Sequence, residues 1–149
     1  MVHPFSRVIV ALCCSAFILL ATRALADTDS GLDALFGAHQ PYKDFLVTLK
    51  SSAATKNWPA ISEMIAYPIT LSVAGRRISI RSPRAFLKHA PDIFTAKVLA
   101  AIERQNYATL FANSSGVMIG AGEIWFSGIC KDIACAAAPV KITAINPAL

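Results

Sequence analysis

Glu123 is the residue whose surroundings most invite chemistry. It is the sole acidic side chain in the apolar, glycine-rich stretch GVMIGAGEIWFSGI, from Gly116 to Ile129. A carboxylate held among apolar groups has its pKa raised unless a cation or a donor compensates, which suits a general base or a ligand-orienting group. Tyrosine beside such a carboxylate is how an isomerase or dehydratase polarises and deprotonates a substrate. Tyr42, Tyr67, His89 and Asp92 complete the candidate constellation, with Glu123, Tyr67 and His89 as the catalytic candidates. Each also has a plain structural role open to it. Tyr42 and Tyr67 suit a core edge, Asp92 a helix start, His89 an exposed helix face, and Glu123 a sheet rim or an arginine partner.

A second set of residues suits binding. Arg76, Arg77, Arg81, Arg84 and Lys88 fall within thirteen positions, with His89 adjoining. Arg77 and Arg81 share one face of a strand pattern, and Arg84 and Lys88 are one helical turn apart. Together they offer a surface for an anionic partner: a cell-wall polymer, lipopolysaccharide headgroups or an acidic protein. The alternative is a solvated face that keeps a small protein in solution. Lys131 and Asp132 form a third candidate, at the tip of a loop between Cys130 and Cys135.

Several chemistries lack their motifs. There is no GxSxG, Walker loop, GxGxxG or HExxH, and no His/Cys/Asp cluster with metal-ligand spacing, so neither metal nor cofactor is implied. Gly120-Ala121-Gly122 lies inside a strand pattern and reads as a bend in a curved sheet, not a phosphate loop. Asn113-Ser114-Ser115 fits a glycosylation sequon in an exposed turn.

The first residues fix the compartment. Val8 to Ala21 is an apolar run of about 14 residues, short of the roughly 20 that a membrane span needs. It is followed by Arg23 and an A-x-A site, Ala24-Leu25-Ala26. Residues 1–26 are therefore expected to be a secretory signal peptide cleaved after Ala26, leaving a single exported domain over residues 27–149. Cys13 and Cys14 would leave with it. The remaining cysteines, Cys130 and Cys135, are expected to form a disulfide in the periplasm or outside the cell. Of 14 Lys and Arg, Arg7 and Arg23 belong to the leader, so 12 stand against 9 Asp and Glu in the remainder. That modest charge on an exported chain does not fit nucleic acid.

The elements that must position these residues follow from periodicity. Asp27 to Gln40 is a loose start in which Leu32, Leu35 and Phe36 make at most a helical turn. Tyr42, Phe45, Leu46 and Leu49 predict a helix from Pro41, ending in a polar break from Ser51 to Lys56. A short helix capped by Asn57 follows, with Ile61, Met64 and Ile65 inward. Ile69 to Ser82 predicts a hairpin: Gly75-Arg76 is the two-residue turn, Val73 faces Ile78, and Leu71 faces Ile80. Ser82-Pro83 starts another helix with Phe86 and Leu87 inward, interrupted at Pro91 and resuming to about Gln105. Tyr107 to Ala112 is a short strand. The long strand from Gly116 to Ile129 and a return strand from Val140 to Ile145 complete an α+β domain, with helices on one face of a curved antiparallel sheet.

The disulfide sets a register for the last two strands. An unbulged ladder puts Trp125 opposite Val140 and Glu123 opposite Ile142. The core face then carries Ile119, Trp125, Val140 and Ile142 with Glu123. Met118, Ile124 and Phe126 form an outward apolar patch that a homodimer would cover. One bulge near Pro139 exchanges the two faces.

The order helix, helix, hairpin, helix, strand meander, carried by NWPAISEMIAYPITL, the hairpin and GVMIGAGEIWF, resembles the nuclear transport factor 2-like (SnoaL-like, cystatin-like) α+β cone. The resemblance implies a cone-shaped fold with a pocket between helices and sheet. Its members include isomerases, dehydratases, hydrolases and non-catalytic binding domains, so it implies a shape and not a reaction. The leading expectation is a small exported, non-catalytic domain that binds a ligand or partner protein. A pocket enzyme with Glu123 as base, and an envelope component acting through its exposed sheet face, are the alternatives.

Overall fold

The computed structural model describes residues 27–73, 75–130, 133, 135 and 138–148. The expected signal peptide, and Lys131 and Asp132, lie outside these residues. The chain folds as an α+β unit with two antiparallel sheets, one of two strands and one of four.

The helical layer is more extensive than periodicity suggested. Helix α1 occupies residues 27–36, where a loose start was expected, and buries Leu32. Helix α2, Gln40–Ala54, has a proline in its first turn and runs on through the expected polar break. Its stripe Tyr42, Phe45, Leu46 and Leu49 is buried as predicted. Ser52 and Ala53 extend that stripe inward, which is why the polar-looking segment stays helical. In α3, Trp58–Glu63, the Asn57 side chain accepts a hydrogen bond from the Ala60 N–H and so satisfies one free donor of the first turn.

Strands β1 (Ile69–Val73) and β2 (Arg76–Ile80) form the expected hairpin, in a different register. Ile69 pairs with Ile80, Leu71 with Ile78, and Val73 with Arg76. Arg76 thus belongs to the strand and not to the turn. Gly75 takes the second loop position, at φ +76°. The slip preserves parity, so Ile69, Leu71, Ile78 and Ile80 remain on one face. Hydrophobic patterning cannot distinguish two registers that differ by an even step.

Beyond the hairpin, Ser82 caps α4 (Pro83–Leu87) by accepting from the Ala85 N–H. Phe86 is fully buried, whereas Leu87 is 40% exposed, contrary to expectation. Four-residue α5 (Ala90–Ile93) carries Pro91 in its first turn, and α6 (Ala96–Arg104) starts afresh from a Thr95 cap. Tyr107–Thr109 is a 3-10 turn, so the strand expected there is only β3, Phe111–Asn113.

The predicted long strand is two strands. β4 (Gly116–Ile119) and β5 (Ile124–Gly128) pair antiparallel, with Ile119 opposite Ile124, and Gly120–Glu123 is the turn between them. Gly120 has φ +66°, a conformation that lets the chain reverse inside an apolar run. A pair of glycines among strand-forming residues signalled a hairpin turn here, not a bend.

The last pairing also departs from expectation. Strand β6, Val140–Ile145, pairs Val140 with Gly128 and Ile142 with Phe126. An unbulged ladder from the disulfide would have set residue 137 opposite Gly128; the offset of three is odd, so the faces exchange. A second irregularity falls between Trp125 and Phe126, where Thr143 Oγ1 donates to the Trp125 carbonyl. Ile124 and Phe126 are therefore fully buried and cannot form an outward patch with Met118. Trp125 lies on the other face, edge-on to the Phe111 ring at 6.3 Å. The core face is Val117, Ile119, Ile124, Phe126, Ile142 and Ile145. Phe45 of α2 stacks on Phe126 with ring centroids 4.8 Å apart, joining the helical layer to the sheet.

Candidate functional site

The turn that holds Glu123 is tied together by three segments of chain. Its carboxylate is 5% exposed, and Oε2 accepts from the Ala121 N–H at 2.6 Å. Gln105, just past α6, accepts from the Gly120 N–H through Oε1 at 2.9 Å. Asn146, just past β6, donates its side-chain amide to the Gly122 carbonyl at 2.7 Å and its backbone N–H to the Glu123 carbonyl at 2.8 Å. A Cβ placed on Gly120 would stand 2.2 Å from Glu123 Oε2 and 3.0 Å from the Ala101 Cβ. The carboxylate thus fills the space beneath the turn. In this arrangement it secures a backbone reversal.

The other members of the expected constellation are dispersed. The Tyr42 hydroxyl accepts from the Gly128 N–H at 3.1 Å, and its ring stacks on Phe36. The Tyr67 hydroxyl donates to the Ser62 carbonyl at 3.0 Å. Burial, and secondarily the charge of Glu63, push its pKa up to about 12. His89 and Asp92 are exposed around the start of α5. Among the described residues no side-chain hydrogen bond joins any two of Tyr42, Tyr67, His89, Asp92 and Glu123; the Asp92 N–H donates to the His89 carbonyl only as part of the turn that starts α5.

A titratable cluster that the sequence did not suggest lies at the amino-terminal end. The His39 backbone N–H donates to Asp33 Oδ1 at 2.6 Å, and its ring Nδ1 lies 2.9 Å from the same oxygen. Its Nε2 is 3.8 Å from Asp29 Oδ2. The Tyr107 hydroxyl donates to Asp29 Oδ1 at 2.6 Å. Burial and then that bond hold the phenol far above its ordinary range. The cluster ties α1 to the start of α2 and to the turn after α6. His39 follows Asp33 closely in the chain, a cue that was available; its link through Asp29 to Tyr107 is long-range and carries no local signal. No group of three among the described His, Cys, Asp and Glu residues could hold a metal ion.

The basic residues are all on the surface. Arg76 and Arg77 lie on β2, Arg81 follows it, and Arg84 and Lys88 lie on and just after α4; all five are exposed. Arg77 sits opposite Ser72, and alternation puts Thr70 and Ser79 on the same polar face. The ion pairs among the described residues both involve His39, so no described carboxylate neutralises any of these five cations. Cys130 and Cys135 form the expected disulfide, and Ile133 inside its loop is fully exposed.

Clefts occur where α2 meets its neighbours. One of about 460 Å³ lies between α2 and α6, and one of about 400 Å³ lies between α2 and the segment Arg104 to Tyr107. Neither is lined by Glu123, Tyr42 or Tyr67. Comparison with known proteins returns no match, whether to a family model, a curated protein or a solved structure.

Proposed function

We propose that this chain is a non-catalytic binding domain of an exported protein, and that it engages an anionic envelope polymer or acidic partner through the β1–β2 hairpin and α4. The observation that carries this is the set of five exposed cations without a carboxylate partner among the described residues. Exposed charges in water interact weakly one by one, but several of one sign on a single face sum to a potential that attracts a polyanion. The polar groups a pocket enzyme would need are engaged elsewhere: Glu123 with Ala121, Tyr67 with Ser62, and Tyr42 with Gly128. The Cys130–Cys135 bridge agrees with an oxidising compartment. No helix among the described residues is long and apolar enough to cross a membrane. The α+β architecture is compatible with the cone-like fold, and the nuclear transport factor 2-like assignment is part of the proposal.

The test is retention of the oxidised protein on immobilised dextran sulfate under a salt gradient, compared with the variant Arg77→Gln/Arg81→Gln. Elution of the parent at clearly higher salt than the variant is expected, because screening weakens exposed charge contacts over about 8–10 Å at moderate salt. Coincident elution would remove the basic face from the proposal.

A further inference from the structure

The two clefts along α2 adjoin at Lys50, which lines both and reaches across from α2 to the end of α6. Their chemistries differ. The cleft toward the start of α2 is lined by Lys43, Val47, Lys50, Arg104 and Tyr107, and no carboxylate lines it. The Lys43 ammonium lies over the Tyr107 ring, 4.9 Å from its centroid. The Lys50 ammonium donates to the Gln105 carbonyl at 2.6 Å, capping the carboxyl end of α6. These contacts hold two cations at the cleft wall before any ligand arrives. Asp29, the carboxylate bonded to Tyr107, does not line this cleft.

The other cleft has an apolar floor. Ala53, Ala54, Leu99 and Ile102 line it, together with Lys56 and Glu103. From Lys43 to Ala54 along α2 the two clefts span roughly 16 Å at 1.5 Å per residue. A cationic cleft adjoining an apolar one is complementary to a molecule with an anionic head and an apolar tail.

We propose that the two α2 clefts together bind a single-chain amphipathic carboxylate. Its head group sits against Lys43, Lys50 and Arg104, and its acyl tail lies along Ala53, Ala54, Leu99 and Ile102. This site is separate from the hairpin face and uses none of its residues.

Calorimetric titration of the purified protein with dodecanoate tests it, beside dodecyl maltoside below its micellar range, acetate, and phosphatidylglycerol vesicles. Saturable one-to-one binding of dodecanoate is expected, at least tenfold tighter than either the uncharged or the tailless probe. Lys43→Gln/Arg104→Gln weakens it tenfold or more. Ala54→Trp, at an exposed position that fills the apolar cleft, abolishes it. Arg77→Gln/Arg81→Gln leaves it unchanged. Thermal melts confirm that each variant is folded. Equal affinity for dodecyl maltoside or acetate, indifference to both cleft variants, a matching loss in the hairpin variant, or binding confined to the vesicles would each overturn the proposal.

Discussion

Among the described residues, the β1–β2 and β4–β5 hairpins each turn through a glycine at positive φ, and they are finished in opposite ways. The β4–β5 tip is clasped: Gln105, Glu123 and Asn146 each bond its backbone, from the end of α6, from the turn itself and from beyond β6. The β1–β2 tip shows no such clasp among the described residues. Among the described residues no side chain bonds Gly75, and the cations Arg76 and Arg77 follow it directly. Polar side chains spent on backbone groups hold a turn in place and are lost to a partner. Cations left without carboxylates do little for the fold and remain available. Stability and binding capacity are thus assigned to different hairpins.

Matched glycine substitutions separate the two tips with the largest effect. Gly75 and Gly120 both sit at positive φ, +76° and +66°. Alanine at either position meets the left-handed penalty of about 1–2 kcal/mol. At Gly75 a Cβ enters open space, so Gly75→Ala is expected to stop there. At Gly120 it strikes the Glu123 carboxylate and abuts Ala101, so the Ala121 bond is lost as well. Adding the cost of disturbing a buried polar group, about 1–3 kcal/mol, Gly120→Ala should lose about 3 kcal/mol in urea unfolding. Equal losses at the two positions would mean that the clasp contributes nothing.

Glu123 sharpens the same point at a smaller scale. Glu123→Ala removes the acceptor for Ala121 and empties the space beneath the turn, with an expected loss of about 1–2 kcal/mol. Glu123→Gln keeps an oxygen acceptor and nearly the same volume, and should lose under about 1 kcal/mol. The ratio, read from denaturation midpoints, distinguishes a clasp from a general base: a base has no reason to spare the glutamine variant's catalysis while its fold survives.

The fold was legible where the signal is local. The stripe of α2, the Asn57 and Ser82 caps, the β1–β2 pair and the disulfide follow from spacing alone. What failed was whatever depended on counting across irregular chain. Gly120-Ala121-Gly122 interrupts an apolar run without a polar residue, so a hairpin looked like one long strand. β6 joins the ladder offset by an odd number from the unbulged count, and that parity put Phe126 inside and Trp125 outside. Glu123 is buried, as a carboxylate in an apolar run suggested, but it lies in the turn between β4 and β5, and Phe126 takes the place expected for it opposite Ile142. The carboxylate's partner, the Ala121 N–H two residues away, only becomes visible once the turn is known.

Alkaline pH gives a milder probe of both regions. Tyr67 lies just before β1, and its folded-state pKa is raised from 10.0 to about 12. Tyr107 lies just before β3 and is raised further still. The unfolded chain gives up these protons near pH 10 while the folded chain keeps them. Both contributions are therefore complete below about pH 10; that of Tyr67 is lost as pH climbs through about 12, and that of Tyr107 at still higher pH. Tyr67→Phe and Tyr107→Phe should each flatten the fall of stability across that window, followed by thermal melts in steps of pH. A fall that is the same in both variants as in the parent would assign alkaline sensitivity to other groups.

The smallest expected effect on the fold comes from the residues proposed to bind. Arg77 and Arg81 are exposed, have no ion-pair partner among the described residues, and lie on the polar side of a hairpin whose opposite side holds Ile69, Leu71 and Ile80 in the core. Replacing both with glutamine removes charge while keeping flexible polar stems over the same strand. Surface changes of this kind usually fall within about 0.5 kcal/mol. Relief of repulsion with Arg76, Arg84 and Lys88 could even raise the melting temperature slightly. A larger loss would show that these arginines brace the hairpin, and weaker retention on a polyanion would then report a damaged fold. An unchanged melt with lost retention isolates the charge, because the two hairpins differ in what their polar side chains are free to do.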